Sequence, residues 1–223
     1  KFNRSANQCL AIMDDKGNIQ KHPSNALIEG VPQGYTGHVR DPKVFKKNGQ
    51  YYMILGAQRL DETGTFIMYQ SPDGVDWSFL GELTLKNFNQ NLGYMWECPD
   101  FAEIDGKDLL IFSPQGVEVQ GEKYKNLFNV TYVIGKLDLD QLIFEVESFD
   151  EFERGFDFYA TQTFKGKENQ TLLLAWAGLG EFEYPTDIFG WAHCLTFPRE
   201  IRIKDNKVIQ IPAKELELLR LNK

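Results

Sequence analysis

Gly93-Tyr94-Met95-Trp96-Glu97-Cys98-Pro99-Asp100-Phe101 sets a carboxylate among aromatic side chains, beside a cysteine and a turn-forming Pro-Asp pair. Upstream, Gly37-His38-Val39-Arg40-Asp41-Pro42-Lys43-Val44-Phe45 has the same plan: an acid next to a proline, then an alternating apolar run. Downstream, Asp157-Phe158-Tyr159-Ala160-Thr161-Gln162-Thr163-Phe164 repeats it without the proline. Each stretch leads into a turn and then a buried apolar strand. Lys46-Lys47-Asn48-Gly49 precedes residues 51–57, Asp105-Gly106 precedes 108–113, and Lys165-Gly166-Lys167 precedes 171–177. Asn-Gly and Asp-Gly mark two-residue hairpins, because these residues tolerate positive φ. Further strand signals follow at 64–70, 129–135, 143–146, 192–196, 200–203 and 208–211. Asp41, Glu97 and Asp157 therefore head three four-strand units of similar length. An all-β chain with this repeat predicts a β-propeller. A two-sheet sandwich is the alternative that the same strands permit. In a propeller the innermost strands converge on a central channel, so the three acids face one funnel. Trp77 reads as a plug within its blade.

Bulk properties narrow the function. The 223 residues, 42% hydrophobic, suit a soluble globular domain. The 13% aromatic content suits an all-β core or a sugar-binding face. A net charge of -8 without a basic block argues against nucleic acid as a partner. No apolar run approaches the ~20 residues of a membrane helix, and no secretory signal opens the chain. Cys9, Cys98 and Cys194 are an odd number and far apart, which argues against a disulfide framework and for the reducing cytoplasm. His22, His38 and His193 lack metal-ligand spacing, so neither metal nor cofactor is expected.

Paired carboxylates in an aromatic funnel suit glycoside hydrolysis. One acid protonates the leaving oxygen while a carboxylate attacks or steadies an oxocarbenium-like centre. Glu97, beside Trp96, Tyr94 and Cys98, is the acid candidate, since apolar neighbours disfavour the charged form. Asp41, next to Arg40, is expected to stay ionised. From the residues alone a plainer reading stays open: Arg40-Asp41-Pro42 is a turn with a local ion pair, and Glu97 a rim acid. Cys98 reads as a packing residue, and Tyr159 and Trp176 as core.

The same stretches resemble glycoside hydrolase family 32, the invertases and sucrose-6-phosphate hydrolases. Arg40-Asp41-Pro42 is similar to its Arg-Asp-Pro motif, Trp96-Glu97-Cys98-Pro99-Asp100 to its Glu-Cys motif, and Asp157-Phe158-Tyr159-Ala160 to its Asp-Phe-Tyr-Ala block. Gly190-Trp191-Ala192-His193-Cys194-Leu195-Thr196-Phe197-Pro198-Arg199-Glu200 resembles the bacterial sucrose-6-phosphate hydrolase branch. The resemblance implies a five-bladed propeller followed by a β-sandwich. It implies Glu97 as general acid/base and Asp41 as transition-state stabiliser gripping fructosyl hydroxyls. Arg40, Tyr159 and Cys98 would line the fructose subsite, and the small partner would be sucrose, sucrose 6-phosphate or another fructoside.

One departure matters. The family's nucleophile is the first Asp of a Trp-Met-Asn-Asp-Pro-Asn-Gly motif, which these residues do not contain. The expectation is therefore an internal segment of a retaining β-fructofuranosidase whose nucleophile lies upstream, inactive by itself. Residues 1–36 would close a first blade, 37–92, 93–152 and 153–212 would be blades, and 213–223 an exit segment. Such an incomplete propeller, with the C-terminal sandwich absent, has open strand edges that invite self-association. The alternative function is a non-catalytic carbohydrate-binding propeller. A propeller glycosidase acting on pentosans is a third reading, opposed by the Glu-Cys and Trp-Ala-His-Cys blocks.

Overall fold

Turn chemistry sets where each strand ends. The computed structural model describes residues 4–126 and 128–220. The outermost positions of the expected first and last segments lie outside them. An opening hairpin pairs β1 (Ala11–Met13) with β2 (Ile19–Lys21). A first four-stranded meander follows: β3 (Tyr35–Lys47), β4 (Gln50–Arg59), β5 (Gly64–Ser71) and β6 (Ser78–Lys86). A second comprises β7 (Met95–Ile104), β8 (Lys107–Gln115), β9 (Thr131–Asp138) and β10 (Ile143–Glu151). The third sheet holds β11 (Tyr159–Lys165), β12 (Thr171–Ala177), the short β13 (Cys194–Leu195), β14 (Arg199–Lys204) and β15 (Lys207–Pro212). A 3-10 turn over Lys214–Leu219 ends the described chain.

Hairpins turn on two consecutive left-handed residues at Asn48-Gly49, Asp105-Gly106, Glu168-Asn169 and Asp205-Asn206. That geometry matches the right-handed twist of the strands it joins. The third inner hairpin differs from the expected Lys165-Gly166-Lys167 turn. It runs on to Gln170, with Glu168 and Asn169 carrying the positive φ.

The middle strands explain the continuous apolar runs. Along β8, Leu110 and Phe112 enter one core with Ile54, Phe66 and Val133. Leu109 and Ile111 enter a second core with Ile134, Leu173 and Ile201. Successive side chains point to opposite faces, so a sheet buried on both faces needs apolar residues at every position. Three sheets with a core in each gap between them are a propeller and not a two-sheet sandwich. The outer strands β6 and β10 also join in parallel, Thr84 opposite Ile143. The inner strands β3 and β11 both lie against β7. Gly56 on β4 permits this approach, because a Cβ there would sit 1.9 Å from the Trp96 carbonyl oxygen.

One buried ion pair ties the three inner strands together. Asp100 of β7, 1% exposed, lies 2.6 Å from Lys43 Nζ of β3. Its carboxylate also accepts from the backbone N–H and the hydroxyl of Thr163 on β11. Lys43 Nζ in turn donates to the Thr163 carbonyl at 2.7 Å. Burial pushes the Asp100 carboxyl up, and Lys43 and Thr163 pull it back down. Removing one partner of such a pair strands a buried charge, at about 3–5 kcal/mol. Asp100→Ala should therefore lower the unfolding free energy by about that amount in urea titrations, while adding Lys43→Ala recovers part of the loss. A loss below about 1 kcal/mol would refute the pin.

Candidate active site

Each inner strand carries one left-handed, non-glycine residue just where its register shifts. On β3 it is Asp41 (φ 60), between the pairs Arg40 with Gly56 and Lys43 with Ile54. On β7 it is Cys98 (φ 49), between Glu97 with Ser113 and Asp100 with Ile111. On β11 it is Ala160 (φ 52), between Tyr159 with Trp176 and Gln162 with Leu174. Arg40-Asp41-Pro42 is thus a bulge inside a strand rather than the turn that the sequence suggested. The strand already runs from Tyr35, ahead of the bulge.

The residue before each bulge points to one place. Arg40 donates to Glu97 Oε1 from Nε at 2.7 Å and from Nη2 at 2.5 Å. Glu97 Oε2 accepts from the Tyr159 hydroxyl at 2.5 Å and from Gln115 Nε2 at 2.8 Å. Burial, then the charge of Glu97, pushes the Tyr159 hydroxyl up, so it stays a protonated donor. Asp41 sits beside this cluster, and its Oδ2 accepts the Cys98 backbone N–H at 3.0 Å and faces Cys98 Sγ at 3.5 Å.

Two sequence expectations need correction. Arg40 pairs with Glu97 and not with its neighbour Asp41, so the local ion pair within Arg40-Asp41-Pro42 is not formed. Adjacent residues of a strand point to different sides, and the cation belongs to the next blade. Asp157 does not join Asp41 and Glu97 by any hydrogen bond or ion pair among the described residues. Its carboxylate instead lies 3.4 Å from the Tyr184 hydroxyl, and Tyr159 takes the third place. Tyr159 is buried as expected of a core residue, yet its hydroxyl serves the site.

Sequence reasoning missed Gln115, His38 and Arg4. Counting from the Asp105-Gly106 hairpin puts Gln115 opposite Trp96, and the bulge at Cys98 moves it opposite Met95. His38 Nδ1 lies 2.8 Å from Arg40 Nη1 and 2.9 Å from Arg4 Nη1. A cleft of about 360 Å³ is lined by Arg4, Gly37, Val39, Arg40 and Glu97. A larger cavity of about 580 Å³ lies towards the other end of the channel, past Lys43, Phe101 and Phe164. Its acids are engaged, Glu103 by Lys47 and Asp105 by the Ile203 N–H, so no carboxylate pair is available there. No group of His, Cys, Asp and Glu among the described residues could hold a metal.

Burial, then the charges of Asp41 and Glu97, drives the Cys98 thiol well above its usual range. A thiol is nucleophilic only as thiolate. Alkylation of the native protein at neutral pH should therefore modify the exposed Cys9 and Cys194 at least about ten-fold faster than Cys98, read by peptide mass spectrometry. Equal labelling of all three would show that Cys98 is a reactive site group and not a packed one.

Comparison with known proteins shows the family. The family model of the glycosyl hydrolases family 32 N-terminal domain matches residues 1–212. A sucrose-6-phosphate hydrolase of Staphylococcus xylosus is 43% identical over 99% of this chain and 44% of its own length. That of Bacillus subtilis is 39% identical over 99% and 46%. The structure of the Lactobacillus gasseri sucrose-6-phosphate hydrolase superposes with a TM-score of 0.88 at 34% identity, covering 98% of this chain and 45% of that one. A Bombyx mori family 32 beta-fructofuranosidase gives 0.88 and 34%, covering 97% and 46%. The chain thus spans a little under half the length of these relatives. With that share of each relative and a match along nearly all of its own length, the chain belongs to the family of glycosyl hydrolases family 32 N-terminal domains.

Proposed function

We propose that the protein carrying this chain is a retaining β-fructofuranosidase, splitting sucrose or sucrose 6-phosphate with release of fructose. The observation that carries the reading is the coupling of two carboxylates across neighbouring bulges: Asp41 is fixed by the Cys98 N–H, one residue from Glu97. Glu97 is the general acid/base. It gives a proton to the glycosidic oxygen as that bond breaks, then takes one from water. Every polar partner of Glu97 is a donor, but the Tyr159 hydroxyl can turn and accept when Glu97 carries its proton. Asp41 accepts hydrogen bonds from fructosyl hydroxyls and tightens them as positive charge develops on the sugar. Tyr159 and Cys98 line the fructose subsite, and Arg40 orients Glu97.

Double displacement also needs a nucleophilic carboxylate. No third acid joins Asp41 and Glu97 among the described residues, and the Asn-Asp-Pro motif that the family resemblance implies is not in the sequence. The nucleophile is therefore supplied by chain outside residues 1–223. A cytoplasmic setting fits the three cysteines, none of them in a disulfide and two of them exposed.

Two outcomes test this. In the protein carrying this chain, Glu97→Gln should lower kcat on sucrose or sucrose 6-phosphate by about 1,000-fold and Asp41→Asn by about 100-fold, measured by fructose release. A Glu97→Gln variant within about ten-fold of the parent would exclude Glu97 as the acid. Residues 1–223 alone should show no turnover, and turnover would place the nucleophile inside them. Sugar binding by calorimetry with no hydrolysis by the parent would instead support a carbohydrate-binding propeller.

A further inference from the structure

The structure assigns to Gln115 the task of fixing which oxygen of Glu97 carries the proton, which makes it a positioning residue for the acid/base. The assignment rests on the proposed hydrolytic reading and deepens it. Glu97 Oε1 takes both of its hydrogen bonds from Arg40, through Nε at 2.7 Å and Nη2 at 2.5 Å. A guanidinium can only donate, so a proton on Oε1 would have to break a charge-assisted bond. Oε2 takes its bonds from two neutral groups, Gln115 Nε2 at 2.8 Å and the Tyr159 hydroxyl at 2.5 Å. The proton therefore belongs on Oε2, where the Tyr159 hydroxyl can turn to accept it.

Gln115 holds both members of that exchange. A carboxylate only accepts, so the amide nitrogen is the end assigned to Oε2. The same side chain bonds the Tyr159 hydroxyl: burial and the charge of Glu97 push that hydroxyl up, and Gln115 pulls it back. Glu97, Tyr159 and Gln115 thus close a triangle drawn from β7, β11 and β8. The stem of Gln115 is fixed by its backbone. It ends β8, pairs with Met95 and bridges to Phe128. Its carbonyl accepts the Tyr94 N–H at 2.9 Å. A Cβ on Gly93 would stand 1.8 Å from that carbonyl oxygen, so a glycine lets the chain before β7 close over it.

The charges around Glu97 come from other elements. Arg40, Asp41 and His38 face it from β3, Arg4 from the opening segment, Cys98 from its own strand and Tyr159 from β11. Replacing Gln115 leaves all of them in place. A donor to a carboxylate favours the charged form, so without the amide the acid keeps its proton to higher pH. The alkaline limb of kcat/KM reports the loss of that proton from the free enzyme.

The test follows kcat/KM against pH for hydrolysis of sucrose and sucrose 6-phosphate by the protein carrying this chain. Gln115→Met keeps the length and removes the donor. It should move the alkaline limb up by about 0.5 pH unit or more, and lower kcat about ten-fold with KM within about three-fold. Gln115→Glu keeps the shape but adds a like charge, and should move the limb further in the same direction. A limb that stays within about 0.2 pH unit in both variants would overturn the assignment, whatever happens to kcat. So would loss of the fold in both, read by circular dichroism, since Gln115 would then be structural. Carbon NMR of the Glu97 carboxyl, identified by its disappearance in Glu97→Gln, reads the same proton without turnover. If the parent splits neither sugar but Gln115→Met still raises the pH at which that carbon titrates, Gln115 keeps its role and the hydrolytic reading fails.

Discussion

Everything at the head of the channel depends on one residue per inner strand lying in the left-handed region. Asp41, Cys98 and Ala160 are not glycines, and each costs about 1–3 kcal/mol in that conformation. Strict alternation would send residues three apart to opposite faces. The bulge absorbs one residue, so Arg40 and Lys43 turn the same way, and so do Glu97 and Asp100. A single strand can then place Glu97 in the site and Asp100 in the buried pin beneath it. Inner strands tolerate this because one of their edges has no ladder to keep. Pro42 and Pro99, each directly after its bulge, lack an N–H that such an edge would leave unpaired. The Thr163 N–H, on the same kind of edge, finds its acceptor in Asp100.

The two levels divide the work. Below, Lys43, Asp100 and Thr163 fix the mutual height of three strands with a charge that has no access to water. Above, Arg40, Glu97 and Tyr159 come one from each of the same strands. The hydrogen bonds to Glu97 are therefore a readout of blade position. A shift of one blade would lengthen them before any sugar arrives. Such preorganisation is what an acid that must give and retake a proton requires, since its donors need no rearrangement at the moment of reaction.

Much of this was legible, for definable reasons. Turn residues such as Asn48-Gly49 and Asp105-Gly106 act locally, so they announced the hairpins and with them the propeller. The apolar runs through β4, β8 and β12 announced sheets buried on both faces. What escaped the sequence was which side chains face each other across blades. Lining up the acids put Asp157 in the third place. Lining up the left-handed residues puts Tyr159 there, and no residue type marks Ala160 as the bulge. Arg40 looked like the partner of Asp41 because sequence shows only neighbours along the strand. The contact of Arg4 with His38 was invisible, since it depends on a glycine in another segment.

The charge of the whole chain and the charge at its mouth differ, and distance decides which is felt there. A net -8 would repel an anionic substrate if it acted as one field. At physiological salt the screening length is about 8 Å, so acids beyond it contribute little at the funnel. Within that range the mouth holds Arg4 and Arg40 against Glu97 and Asp41, with His38 neutral between the guanidiniums. The mouth is therefore close to balanced in charge on an acidic protein. The same screening leaves the Arg40 to Glu97 pair nearly intact, because its atoms are in direct contact and Glu97 is largely buried. Salt should then act on long-range attraction or repulsion and hardly at all on the Arg40 to Glu97 contact.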